Sequence, residues 1–235
     1  MEIKIAVAKI DKYRSSKSGD TVETIERPNG GISIVLVDGQ IDGLDDKSIS
    51  TMVSHRVLYH ISEGKRDSTA IRQASTSIFE EHKGRVKANL TLLSVDSQSN
   101  TIVISRNNPV PVFLVTDENV DCLSTDSEPI GTKIEIRPSI VELPIKPGAA
   151  VIAFSDGVYQ AGREDVQNPD ICVTIEALFE EQEPTAQEVA DYLLSRAMRL
   201  DEGRPKDDMS IIVMLISPES TDKIRRMNIS IALDE

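Results

Sequence analysis

The sequence predicts an α+β fold, a four-layer α-β-β-α sandwich of two mostly antiparallel sheets flanked by paired helices. Three observations carry this expectation. Short β-branched runs recur along the whole chain, two amphipathic helical patterns stand together after the first strands, and two more precede a buried strand near residue 210. The connections Ser97–Asn100 and Lys146–Gly148 are too short for a crossover helix, so the strands they join should be antiparallel neighbours. No linker, repeat or low-complexity tract divides residues 1–235, which read as a single domain.

In chain order, Ile3, Ile5 and Val7 alternate with charged residues as a strand with one buried face. DKYRSSKSGDTVE is polar and turn-rich, and PNGG at 28–31 marks a hairpin turn ahead of the run GISIVLVDG. From Leu44 to Glu63 apolar residues fall at intervals of three and four, giving a helix with Gly64 as its C-cap. Asp67 or Ser68 should cap a second helix running to about His82. Strands follow at Val86–Val95, Thr101–Ser105, Val110–Thr116, Ile134–Leu143 and Ala149–Phe154. Helices are expected over Ile171–Glu180 and Thr185–Leu200, the latter opened by a Thr185–Glu188 capping box. Asp208–Ile216 is a buried strand, and Ile224–Leu233 alternates weakly as a final one.

Thirty-nine acidic against 26 basic residues leave a net charge of −13, which argues against a general nucleic-acid binder. No run approaches the ~20 apolar residues of a membrane helix, so no membrane partner is expected and the cytoplasm is the default location. Cys122 and Cys172 form no CxxC motif and read as buried thiols of a reducing compartment.

Four acidic sites share one context: Asp20 in SGDTVE, Asp38 in IVLVDGQIDG, Asp156 in VIAFSDGVYQ, and Asp207-Asp208 in KDDMSIIVML. An Asp-Gly pair alone is a turn dipeptide. Acids repeatedly placed at the ends of buried strands instead suggest oxygen ligation of a hard cation, with glycine allowing close approach. Carboxylates gathered in a desolvated pocket repel one another, and cations remove that penalty. The set suggests a binuclear site, whose ions at roughly 3.5–4 Å could clamp a phosphoryl group.

The ordered motifs SGD, LVDGxxxG, FSDG and DDMSIIV, with NLTLLSVD, ISRNNPVPVFLV, EPIGTK and KPGAAVIAFSDGVYQAG, resemble the metal-dependent Ser/Thr protein phosphatases of the PP2C superfamily. The bacterial stage-II-sporulation-E/RsbX-like branch is the most similar. The resemblance covers nearly the whole chain. It implies the same layered sandwich, with two Mn²⁺ or Mg²⁺ ions at one end. It also implies hydrolysis of phosphoserine or phosphothreonine by direct attack of a metal-bridging hydroxide. Carried over by position, Asp38 bridges both metals, the Gly39 carbonyl completes the second site, Asp156 and Asp207 hold the first metal, and Asp20 serves the second directly or through water. Asp208 is the less certain member of its pair. Lys12, Arg14 or Lys17 would hold the substrate phosphate, with solvated loop charge as the alternative. The implied partner is a phosphorylated regulatory protein of the anti-anti-sigma or stressosome type.

The chain departs from the family at Gln40-Ile41-Asp42-Gly43, where a Gly-x-Gly turn, often with His, is usual. Asp42 is read as the cap of the helix beginning near Leu44, with metal ligation or repulsion of phosphate as alternatives. The family's flap insertion looks minimal and its N-terminal sensor or membrane modules are not expected. His55, His60 and His82 lack chelating spacing. Arg85 or Lys87 could guide a phosphopeptide, against the simpler role of a solvated strand end. Two other function classes fit less well: a catalytically weak or inactive regulator of the same fold, and a scaffold holding structural Ca²⁺.

Overall fold

The first and last strands of the described chain are hydrogen-bonded neighbours, β1 (Glu2–Ile10) pairing antiparallel with β11 (Met209–Ser217) from Glu2↔Ser217 to Ile10↔Met209. This computed structural model describes residues 1–235 apart from 16–17, 118, 163–170, 182, 219–221, 223 and 232–235, and the side chain of 181. Beside β11 lie β10 (Ala150–Phe154), β7 (Val112–Val115) and the edge strand β8 (Val120–Leu123). The second sheet runs in the order β2 (Asp20–Glu26), β3 (Gly31–Ile41), β5 (Val86–Asp96), β6 (Thr101–Asn107), β9 (Ser139–Pro144). A two-residue β4 (Leu44–Asp45) folds back on β3, and every pairing is antiparallel.

Side-chain alternation sorts the core into three apolar seams. On β3, Val35 and Val37 pack against α1 (Lys47–Ser62) and α2 (Asp67–His82) through Val53, Val57, Ile71 and Ile78. Ile34 and Leu36 point the other way, onto Val151, Ala153, Ile212 and Met214 of the first sheet. That sheet's outer residues Ile152, Phe154, Ile211 and Val213 are covered by α3 (Asp156–Gln160), α4 (Ile171–Glu181) and α5 (Ala186–Leu200). Each fully buried Ile or Leu contributes about 1.5–3 kcal/mol. A one-residue slip of β3 would exchange its two apolar faces and carry Asp38 into the helix-facing seam, so the register is strongly specified.

The layers, the PNGG hairpin between β2 and β3, and the Thr185–Glu188 capping box match the sequence expectations. Several local expectations do not hold. Helix α1 begins at Lys47, with Asp46 as its N-cap accepting from Ser48 N at 2.7 Å. Asp42 caps nothing: it sits at φ +52° and forms a bidentate ion pair with Arg85, which also withdraws Arg85 from any free role. The N-cap of α2 is Arg66, because the Asp67 carboxylate turns inward to accept from Arg27 Nη1 at 2.8 Å. The run Ile134–Leu143 is strand only from Ser139 onward, within β9 (Ser139–Pro144), since a turn with Glu135 at φ +61° precedes it. Lys146–Gly148 does not close a hairpin; it carries the chain from β9 in one sheet to β10 in the other. Residues 224–231 form no strand, and the remainder of the expected run, 232–233, lies outside the described residues. Cys122 is exposed on the edge strand β8 and Cys172 is half-buried, so neither is a core thiol.

Candidate metal centre

At one end of the sandwich the seam between the sheets changes from apolar to polar on every strand that reaches it. On β3 the inward sequence Ile34, Leu36 is followed by Asp38, and on β2 Val22 is followed by Asp20. On β11, Met214 and Ile212 give way to Ser210 and Asp208, and on β10 Val151 and Ala153 give way to Ser155 just before Asp156. On β5 the same face passes from Leu93 to Thr91 and Asn89. Period-two geometry thus delivers the acids together.

Asp38 is directly opposite Asp20 on one side and Asn89 on the other. Asn89 Nδ2 donates to Asp38 Oδ2 at 3.1 Å. Burial, then the Asp156 charge, push the Asp38 carboxyl up to about 7, against the opposing bond from Asn89. Burial likewise raises Asp20 to about 7, partly offset by the neighbouring hydroxyls of Ser210 and Ser155, with Asp38 adding to the rise. Asp20 is 2% exposed and its Oδ2 has no hydrogen-bond partner. Its carbonyl, by contrast, accepts from both Lys9 Nζ at 2.6 Å and Lys47 Nζ at 2.5 Å.

Asp156, the first residue of α3, and Asp207 also sit above the ordinary carboxylate range, each mainly through burial, with Asp207 the largest charge acting on Asp156. Gly157 makes their approach possible: a Cβ there would lie 2.3 Å from the Asp208 carbonyl oxygen and 3.2 Å from Asp207 Cβ. Gly39 is required for a similar reason, since its Cβ would fall 2.4 Å from Ser50 N on α1. The Gly39 carbonyl accepts from Asp46 N at 2.8 Å, using one of its two lone pairs.

The Asp207-Asp208 pair is divided in role. Asp208 is buried and fastens the loop before β2, accepting from Lys12 N at 2.8 Å and Gly19 N at 2.6 Å. Asp207 is left facing Asp156 and Lys12. Of the three basic candidates, Lys12 stands at the site, its ammonium 3.8 Å from both Asp207 and Asp45. Arg14 lies over the Tyr13 ring, and Lys17 falls outside the described residues. Asp42 is occupied by Arg85. Two residues at the site went unnoticed in the sequence: Asp45, whose charge acts on Asp38, Asp156 and Asp207, and Asn89. Asn89 is detectable only through its register with Asp38.

Among the described residues no three His, Cys, Asp or Glu side chains are drawn close enough to close on an ion. The donor set nevertheless fits hard cations: oxygen ligands only, one of them buried and unpartnered, and mutually repelling carboxylates with the Lys12 ammonium near Asp207.

The family model of Stage II sporulation protein E (SpoIIE) matches residues 28–216. The chain belongs to the SpoIIE family. The SpoIIE of Priestia megaterium is 23% identical over 196 residues, spanning 83% of this chain and 33% of that protein. The SpoIIE of Bacillus subtilis strain 168 is 23% identical over 200 residues, 85% of this chain and 24% of that protein. The chain therefore spans about a third or a quarter of the length of these curated relatives. The PP2C phosphatase domain of B. subtilis SpoIIE, solved with a fragment of its regulatory domain, superposes with a TM-score of 0.77 at 22% identity, covering 92% of this chain and 64% of that one. The catalytic domain of the phosphatase PstP, solved with two manganese ions, gives 0.69 at 16% identity over 92% and 98% of the two chains. RsbX, solved with magnesium, gives 0.66 at 14% over 92% and 96%. The SpoIIE-family sandwich is thus a PP2C-like phosphatase fold.

Proposed function

We propose that this chain is a metal-dependent phosphoprotein phosphatase acting on phosphoserine or phosphothreonine of a small regulatory protein. The observation that carries the reading is the meeting of Asp20, Asp38, Asp156 and Asp207 at one end of the sandwich, with Asp38 and Asp20 pushed up to about 7 and one Asp20 oxygen unpartnered. Asp38 would serve two ions, Asp156 and Asp207 the first, and Asp20 with the Gly39 carbonyl the second. Bound there, Mn²⁺ or Mg²⁺ supplies Lewis-acid charge for a phosphoryl group and lowers the pKa of water. The chain's own residues do the rest of the positioning. Lys12 offers its ammonium to an incoming phosphate at the mouth of the site, and Asp208 holds the Lys12 backbone in place. Asn89 orients Asp38. Family membership supports a regulatory phosphoprotein as substrate.

A second reading, a regulator of the same fold without turnover, is favoured by one observation: among the described residues no three His, Cys, Asp or Glu side chains stand close enough to close on an ion. One experiment separates them. Phosphate release from phosphoserine regulatory proteins is measured with Mn²⁺, Mg²⁺ and Ca²⁺, on wild type and Asp38→Ala. Metal-dependent release lost in Asp38→Ala supports the phosphatase; full activity after exhaustive chelation, or metal binding without release, rejects it.

A further inference from the structure

Beside the candidate metal centre, at the edge of the seam between the sheets, two lysines from different elements meet on one oxygen. Lys9 continues the inward side of β1 that begins with Ile3 and Ile5, and Lys47 is the first residue of α1. Both ammoniums donate to the Asp20 carbonyl, at 2.6 and 2.5 Å, so two like charges are held within about 5 Å of each other. Lys47 is pinned further, donating to Thr21 Oγ1 at 2.8 Å, and Thr21 Oγ1 in turn meets Ser50 Oγ at 2.7 Å.

Among the described residues neither ammonium forms an ion pair. The acids whose charge reaches Lys47 are Asp20, whose carboxyl turns into the seam, and Glu23, which meets His55 Nε2 at 3.1 Å. A helix N-terminus favours anions, yet the first turn of α1 opens on Lys47 and holds no acid, and its N-cap Asp46 is engaged by Ser48. Two cations gathered at the positive end of a helix work against stability, a local conflict of the kind that marks functional sites. An ammonium carries three N–H groups, so two remain on Lys9 and one on Lys47. Both residues are half-buried, which leaves these donors partly stripped of water and still reachable.

We infer that Lys9 and Lys47 form an anion subsite beside the metal centre, which takes the carboxylate of an acidic residue next to the phosphoserine of the substrate. The inference rests on the phosphatase reading and names what that substrate carries. A carboxylate there accepts charge-assisted bonds from both ammoniums and removes their repulsion. Asp20 joins the two subsites, since its carbonyl holds the lysines and its carboxyl faces the metal centre. One or two residues of extended peptide, at about 3.3 Å each, span that separation. Lys12 remains the cation for the phosphate itself, so the substrate meets two separate cationic points on a chain of net charge −13.

The test compares two short phosphoserine peptides that differ only in carrying Glu or Gln on both sides of the phosphoserine, with Mn²⁺ present. Phosphate release gives kcat/KM for each, and anisotropy gives the binding of twin peptides that carry a non-hydrolysable phosphonate instead. The wild type should prefer the Glu peptide by about tenfold or more in both readouts. Lys9→Gln and Lys47→Gln should each reduce that ratio and together abolish it, while Lys47→Arg, which keeps the charge, should retain it. Metal-dependent release with no preference for Glu overturns the subsite and leaves the phosphatase reading standing. A Glu preference in phosphonate binding, lost in the lysine variants, with no release from either peptide supports the subsite and rejects turnover. Lysine variants that slow both peptides equally overturn it, because the pair then serves only to hold Asp20. Inhibition by inorganic phosphate that these variants relieve equally for both peptides overturns it too, assigning the pair to free phosphate.

Discussion

Asp20 stands directly across the β2–β3 ladder from Asp38, a buried and a half-buried acid paired where like charges repel. Both carboxyls are pushed from 3.8 up to about 7, each mainly by burial, with Asp38 adding to the rise of Asp20 and Asp156 to that of Asp38. The metal-free native state therefore holds protons that the unfolded chain has released, and its stability falls as pH rises from about 4 to about 7, then levels off. The slope should reach at most about 1.4 kcal/mol per pH unit for each carboxyl. Denaturant unfolding in chelator at about pH 5 and pH 8 measures it; a chain more stable at the higher pH contradicts the arrangement.

Divalent metal should reverse that trend. Mn²⁺ at 100 times its dissociation constant would add about 2.7 kcal/mol at neutral pH. Asp38→Asn should remove this gain and the phosphatase activity together, while stabilising the chelated protein by about 1 kcal/mol through loss of the repulsion. Thermal melts with and without Mn²⁺ read both effects.

Lys12→Ala should raise KM for a phosphoprotein by about 10- to 100-fold, the scale of a charged hydrogen bond. Arg14→Ala, which disturbs only the stack on Tyr13, should change it little. Equal effects of the two substitutions would show that Lys12 does not meet the phosphate.

Asn89→Ala should weaken Mn²⁺ binding by about 10- to 100-fold, as expected for a residue orienting a ligand from behind. Calorimetric titration of Mn²⁺ gives the value directly. Unchanged affinity would make Asn89 a packing residue.

Arg27, partly exposed, and Asp67, buried, form an ion pair beneath α2, with Ser33 and Ser94 also bonded to the guanidinium. Asp67→Ala should destabilise the fold by about 1–3 kcal/mol, because it removes the charged partner of a largely buried guanidinium that keeps Ser33 and Ser94. Urea unfolding measures the loss, and activity of the surviving folded fraction should be unchanged.

Most of the fold was legible because buried β-branched runs and three-to-four periodicity report burial directly. What escaped was set by tertiary context. β2 is largely polar in DTVETIE, since only one of its faces meets the core, so it reads as loop. The short helix α3 is only five residues and follows from the turn after Ser155, not from any periodic pattern. Asp46 could have been read as the cap of α1, but Asp42 competes with it in sequence and is removed only by Arg85, 43 residues away. At the site, the four strand-end acids announced themselves individually. Asn89 and Asp45 did not, because their roles come from pairing register and from a turn geometry that no local pattern encodes.

The carboxylate of Asp208 ties down backbone nitrogens of residues 196 and 189 positions earlier, at Lys12 and Gly19. During synthesis the segment carrying Lys12 and Asp20 must therefore wait, unfastened, until almost the whole sandwich has left the ribosome. Contacts of such separation slow folding. Every nascent chain short of Asp208 thus leaves the backbone of Lys12 and Gly19 unfastened, and the rim of the candidate metal centre closes late in assembly.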